Sequence, residues 1–168
     1  MIHFVGAGPG AADLITMRGH QLLTEADVII YAGSLVNPEL LQYAKASCSI
    51  YNSASMTLEE VINVMKQAEE KNQLTVRLHT GDPSLYGAIR EQMDAYNITY
   101  DVVPGVSSFC GAAAALKAEY TLPNVSQSVI ITRMAGRTPV PEKEEIALLA
   151  AHQATMVIFL STGMLEQL

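Results

Sequence analysis

Short apolar runs alternate with amphipathic stretches along most of this chain. Residues 2–6, 27–31, 48–51, 74–79 and 98–103 read as strands, with helices expected near 14–23, 38–45, 57–70, 84–95 and 107–117. Val61, Val64, Met65 and Ala68 fall at i, i+3, i+4 and i+7, one face of a helix. Thr57 followed three residues later by Glu60 forms a capping box at its start. The run Leu74 to His79 has period two, placing Thr75, Arg77 and His79 on one face of a strand. Strand–helix alternation of this kind predicts an α/β fold, a mostly parallel sheet flanked by helices.

Beyond residue 117 the rhythm changes. Thr121-Leu122-Pro123-Asn124 reads as a linker, and a new strand is expected at 128–132. A polar, proline-containing stretch from Gly136 to Pro141 then leads to a helix near 142–152, a strand at 155–160 and the opening of another helix. The expected organisation is therefore an N-terminal α/β domain over 1–120 and the beginning of a second α/β domain over 121–168. The latter falls well short of the ~100 residues of a typical domain, and is expected to be incomplete.

Composition narrows the function. With 49% hydrophobic and 16% charged residues the chain can build a core. No apolar stretch reaches the ~20 residues of a membrane span, and the chain opens on a strand instead of a basic leader. The cytoplasm is the expected compartment, with no membrane partner. Cys48 and Cys110 form no C-x-x-C pair, and His3, His20, His79 and His152 lack ligand spacing. Neither a disulfide framework nor a metal site is expected. A net charge of −7 without a lysine–arginine cluster argues against nucleic acid as a partner.

Three strand-to-helix junctions share one design: Gly6–Gly10, Thr80–Gly87 and Pro104–Ser108. In an open sheet such bends gather along one rim, where ligands bind. Gly6, Gly8 and Ala11 satisfy the loose dinucleotide pattern G-x-G-x-x-G/A, but the context opposes it. Pro9 has no N–H to offer a diphosphate. Ala32-Gly33-Ser34 stands after the second strand, where a ribose-binding carboxylate belongs, and Asp27 lies at that strand's other end. On its own, Asp82 before Pro83 is an ordinary helix start, and Ser107 an ordinary N-cap.

Taken together and in order, these loops resemble the tetrapyrrole (corrin and sirohaem) methyltransferases. Gly6-Ala7-Gly8-Pro9-Gly10 followed by Leu14-Ile15-Thr16-Met17-Arg18-Gly19 is similar to that family's opening signature. Gly81-Asp82-Pro83 and Pro104-Gly105-Val106-Ser107 are similar to its two later loops, and the resemblance covers essentially the whole chain. Tyr31 to Val36 and Thr132 to Pro141, preceded by Tyr120-Thr121-Leu122-Pro123, look most like the branch that methylates carbon 11 of precorrin-4 or cobalt-precorrin-4.

The resemblance implies the tetrapyrrole methylase fold, a homodimer, and S-adenosylmethionine as methyl donor. It implies that Pro9, Thr80, Gly81, Asp82, Leu85, Ser107 and Ser108 line the donor's pocket, joined by Leu160. No protein nucleophile or metal is required, because a sulfonium carries its own leaving group and alignment does most of the work; a general base could take up a proton, and the sequence does not identify it. A tetrapyrrole bears many carboxylates, so arginines are needed against the acidic field. Arg18, Arg133 and Arg137 are the candidates, then Arg77 and Arg90, each of which could equally be a surface ion pair. Relatives with RNA or protein acceptors, and an inactive N-terminal piece of the enzyme, are the competing expectations.

Overall fold

A computed structural model of the chain describes residues 1–94 and 99–168. It divides into two compact units, Met1–Gly111 and Ala112–Leu168. In the first, β1 (Ile2–Gly6), β2 (Val28–Tyr31), β3 (Ser49–Asn52), β4 (Thr75–His79) and β5 (Tyr100–Val103) form a parallel sheet. The strand order is β3-β2-β4-β1-β5. Three helices accompany it: α1 (Met17–Glu25), α2 (Leu58–Glu70) and α3 (Ile89–Asp94), and α4 (Ser108–Leu116) follows β5.

Strand periodicity sorts the core onto two faces. Val5, Ile29, Val76 and Leu78 pack with Leu23 of α1 and Leu40. Ile2, Phe4, Val28 and Ile30 pack with Val61, Ile62, Met65 and Ala68 of α2. A parallel strand covered on both faces is expected to be apolar throughout. β4 is buried at all five positions, yet Thr75, Arg77 and His79 occupy the α2 face of it.

Local signals account for most element boundaries. Thr57 accepts the Glu60 N–H at 3.2 Å while Glu60 accepts the Thr57 N–H at 2.7 Å, so the capping box opens α2 as expected. Thr16 accepts the Gly19 N–H at 3.2 Å and delays α1 to Met17. The expected helix at 38–45 is a 3-10 segment, Pro38–Tyr43. The expected helix at 84–95 is corrected: residues 83–86 form a turn and α3 starts only at Ile89. Tyr86 (φ 54°) and Ala88 (φ 49°) are left-handed, which breaks a helix that Pro83 would otherwise have begun. Residue 95 of that expectation, and residue 98 of the expected strand 98–103, lie outside the described residues.

The second unit contains a two-stranded parallel sheet, β6 (Val129–Arg133) with β7 (Thr155–Phe159), and a short helix, α5 (Ile146–Ala150). All five residues of β7 are half-exposed. Among the described residues no helix is long and apolar enough to cross a membrane.

Candidate functional site

At the carboxyl rim of the first unit's sheet, the bends after β1, β4 and β5 are joined through their backbones. The Ala7 N–H donates to the His79 carbonyl at 2.7 Å, extending the β1–β4 ladder past the strand end. Gly8 and Gly81 exchange two further bonds, 3.3 Å from the Gly8 N–H and 2.9 Å from the Gly81 N–H. Gly8 (φ 81°) and Gly81 (φ 61°) adopt the left-handed backbone that such an exchange requires here.

Close approach of the third bend explains two more glycines. A Cβ on Gly6 would lie 2.5 Å from the Gly105 Cα and 2.6 Å from the Gly81 carbonyl oxygen. One on Gly105 would overlap that same oxygen and lie 2.7 Å from the Gly6 Cα. Gly111 of α4 leaves room for Pro9, whose Cβ would be 2.6 Å from an added methyl. The three loops thus meet in a single glycine-lined cradle.

Asp82 fastens this cradle. Its Oδ1 accepts the Ser84 N–H at 2.7 Å, and its Oδ2 accepts the Gly105 N–H at 3.0 Å, 23 residues away. The first bond is the turn-capping contact legible in the sequence; the second ties the β4 loop to the β5 loop. Leu85, half-buried, donates its N–H to the Asp82 carbonyl at 3.2 Å within the turn. Ser107 is buried, and its carbonyl accepts the N–H groups of Cys110 and Gly111 at the start of α4. Ser108 and Thr80 are exposed beside it, with Gly81 at van der Waals range of the Ser107–Ser108 backbone. Pro9, Thr80, Gly81, Asp82, Leu85, Ser107 and Ser108 are therefore neighbours on one rim.

This rim is not built for a dinucleotide diphosphate. Such a site needs a helix N-terminus immediately after the glycine turn. Here a 3-10 turn, Ala12–Leu14, follows Gly10, and α1 begins at Met17 under a Thr16 cap. The Gly8 N–H is already committed to Gly81. Asp27 sits at the far end of β2, bonded to Lys45 at 2.6 Å and to the Leu74 N–H at 2.8 Å. Its hydrogen bond from Lys45 holds its carboxyl below the usual range.

Below the rim lies a buried cationic group. The Arg77 guanidinium donates to the Ile30 carbonyl, to Ser53 Oγ and to Gln92 Oε1, at 3.1, 3.1 and 3.2 Å. Those acceptors are neutral, and burial lowers its pKa to about 10. An arginine does not surrender its proton in such a setting, so the shift registers a charge taken out of water without a carboxylate. His79, on the same face, packs against Phe4 with ring centroids 5.7 Å apart and planes tilted by 43°. Burial, and then the nearby Arg77 charge, push its pKa down to about 3. Its Nε2 is buried and has no hydrogen-bond partner among the described residues.

The remaining candidates are placed separately. Arg18 is exposed on α1. Leu160, at the end of β7, is 73% exposed with φ 56°. The Arg133 guanidinium donates to the carbonyls of Met134, Thr138 and Pro139, at 3.1, 3.1 and 2.8 Å, and so orders its own loop. Arg137 in that loop is exposed. Ser161 Oγ accepts the Met134 N–H at 3.2 Å and donates to the Phe159 carbonyl, joining the ends of β6 and β7.

Two rim contacts have no sequence signal. Asn37 Nδ2 donates to the Gly10 carbonyl at 2.8 Å, and Ser53 Oγ donates to the Tyr31 carbonyl at 3.0 Å. Both link segments far apart in the chain, which periodicity and motif spacing do not register.

Comparison with known proteins agrees with this architecture. The family profile Tetrapyrrole (Corrin/Porphyrin) Methylases matches residues 1–168. The chain is 58% identical over 166 residues to a cobalt-precorrin-4 C(11)-methyltransferase of Methanocaldococcus jannaschii, covering 97% of this chain and 64% of that one. It is 44% identical over 169 residues to a precorrin-4 C(11)-methyltransferase of Mycobacterium tuberculosis, covering 98% and 67%. An X-ray structure of a cobalt precorrin-4 methyltransferase, a cobalamin biosynthetic enzyme, superposes with a TM-score of 0.94 at 44% identity, covering 99% of this chain and 71% of that one. The chain thus spans about two thirds of the length of the relatives it matches.

Proposed function

The chain belongs to the tetrapyrrole (corrin/porphyrin) methylases, and on that premise we propose that it serves methyl transfer from S-adenosylmethionine to carbon 11 of precorrin-4 or cobalt-precorrin-4. The single observation that carries the donor site is the convergence of three bends on Gly6, Gly81 and Gly105. A Cβ on Gly6 or Gly105 would collide with the neighbouring bend, so the three bends pack backbone on backbone, and the donor would lie against the rim they form.

Bound there, S-adenosylmethionine would supply an electrophilic methyl: the ring carbon's electron pair would form the new C–C bond as the S–CH₃ pair passes to sulfur, and the positive charge transferred to the ring would be discharged by loss of a ring proton, leaving S-adenosylhomocysteine. The protein's part is alignment and electrostatics. Pro9, Gly81, Ser107 and Ser108 supply the walls. Asp82 fixes the β4 and β5 bends relative to each other. Arg18 and Arg137 are free to meet carboxylates of a tetrapyrrole, while Arg133 shapes the loop that carries Arg137. By family likeness alone, Leu160 is a candidate contact for the adenosyl portion.

The second unit is proposed to form part of a larger sheet. A parallel pair is normally covered on both faces, and two strands alone are marginal in water, whereas β7 is half-exposed throughout. By family likeness, the enzyme is proposed to act as a homodimer in the cytoplasm.

Calorimetry tests the donor site directly: S-adenosylhomocysteine is expected to bind and NAD to give no heat. The reverse result removes the proposal. Radiolabel transfer to precorrin-4, with and without cobalt, then tests the acceptor, and transfer to RNA alone would overturn it.

Asp82→Ala removes the acceptor of two N–H groups at once. Its effect on S-adenosylhomocysteine affinity is expected to exceed the ~1 kcal/mol of a lost cap, because the Gly105 bend is released as well. Affinity that falls only in step with the folded fraction would reduce Asp82 to a capping residue.

A further inference from the structure

The segment between β2 and the Pro38–Tyr43 turn crosses close to the glycine bend, and one side chain connects them. Asn37 Oδ1 accepts the Glu39 N–H at 3.0 Å, capping the turn. Its Nδ2 donates to the Gly10 carbonyl at 2.8 Å, across 27 residues of chain. The other parts of the glycine bend are held elsewhere: Gly8 by its exchange with Gly81, and Pro9 by contact with Gly111. Gly10 is the open lip. Its φ is 129°, and an added Cβ would meet nothing within 4 Å. Among the described residues, the Asn37 amide is the group that hydrogen-bonds it.

Capping requires only an acceptor, and Asp or Ser would serve as well. A donor is the property that asparagine adds, and here that amide donates at 2.8 Å to the Gly10 carbonyl and, more weakly, at 3.4 Å to Glu39 Oε2. From this geometry we infer that Asn37 is a positioning residue for the methyl-donor site: it sets the orientation of the Gly10 peptide, and with it the outer wall of the cradle. The inference rests on the reading of that cradle as the S-adenosylmethionine site.

Asn37→Asp separates the two roles. Its carboxylate still accepts the Glu39 N–H but cannot donate to the Gly10 carbonyl. Asn37→Ser also keeps a capping oxygen, with no amide and no added charge. Both variants are expected to retain the parent's unfolding midpoint and to bind S-adenosylhomocysteine about five- to tenfold more weakly, the worth of one oriented hydrogen bond. Hydrogen exchange at the Gly10 and Ala11 amides is expected to quicken in Asn37→Ser while the Gly81 and Gly105 amides stay as in the parent. Unchanged affinity and exchange in both variants overturn the role of Asn37 and leave the donor site standing. Loss of affinity that merely follows a lowered midpoint also overturns it. A parent chain that fails to bind S-adenosylhomocysteine overturns the donor site itself, and the inference with it.

Discussion

Gly105→Ala is expected to lower the stability of the first unit by about 3 kcal/mol or more and to abolish S-adenosylhomocysteine binding. The added methyl would overlap the Gly81 carbonyl oxygen and press to within 2.7 Å of the Gly6 Cα. Both neighbours are backbone, so neither can swing aside as a side chain would. Gly81 is itself tied to Gly8 by two hydrogen bonds, and Gly105 to Asp82 by one. Relief of the overlap must therefore part the bends whose convergence makes the cradle.

Thermal unfolding provides the check. For a unit spanning Met1–Gly111 the midpoint should fall by roughly 12 °C or more. Gly136→Ala is the control, because a Cβ there meets nothing within 4 Å and its backbone is not left-handed. A Gly105→Ala variant that melts with the control and still binds S-adenosylhomocysteine would show that the three bends are not in mutual contact.

How much of this was legible beforehand depends on the range of the interaction. Period-two and period-3.6 patterns located the strands and α2, because core faces repeat locally. The three bends were legible as glycine and proline clusters, and family likeness ordered them into one site. The Thr57–Glu60 box is a contact between residues three apart and could be read directly. Asp82 was legible only in half: its turn-capping bond is local, whereas its bond to Gly105 needs β4 and β5 to be brought to either side of β1. Asn37 before Pro38 carries a local cap signal, whereas its reach to Gly10 across 27 residues leaves none. The expected helix after Pro83 failed for the opposite reason. Local propensity favoured it, but the left-handed Tyr86 and Ala88 and the tight fit of Gly87 against Pro83 impose a compact loop.

Arg77 illustrates a different limit. Its place in an alternating strand was plain, and solvent or substrate carboxylates were natural partners to expect. Burial on the α2 face gives it three neutral acceptors instead, from β2, from Ser53 and from Gln92. A buried guanidinium so arranged holds three segments together beneath the rim. Its charge adds to burial in keeping the histidine two residues on neutral.

That histidine makes stability depend on pH in a defined window. Buried against Phe4 and beside Arg77, His79 stays neutral in the folded chain until about pH 3, against an ordinary value of 6.5. Between those limits the unfolded chain binds a proton that the folded chain refuses. Stability is therefore fully present above pH 6.5 and is lost as the pH falls, with a slope approaching about 1.4 kcal/mol per pH unit for the one proton. The stretch from pH 6.5 to 5 is diagnostic, because ordinary carboxylates titrate below it. Denaturant unfolding across that stretch should show the decline in the parent and a flatter profile in His79→Phe or His79→Gln. Two variants are needed because phenylalanine preserves the packing on Phe4 while glutamine preserves polarity. Donor affinity of the folded chain should stay level over the same stretch, because His79 is neutral there throughout. Parallel pH profiles for the parent and both variants would show that His79 is protonated in the folded chain as readily as in the unfolded one.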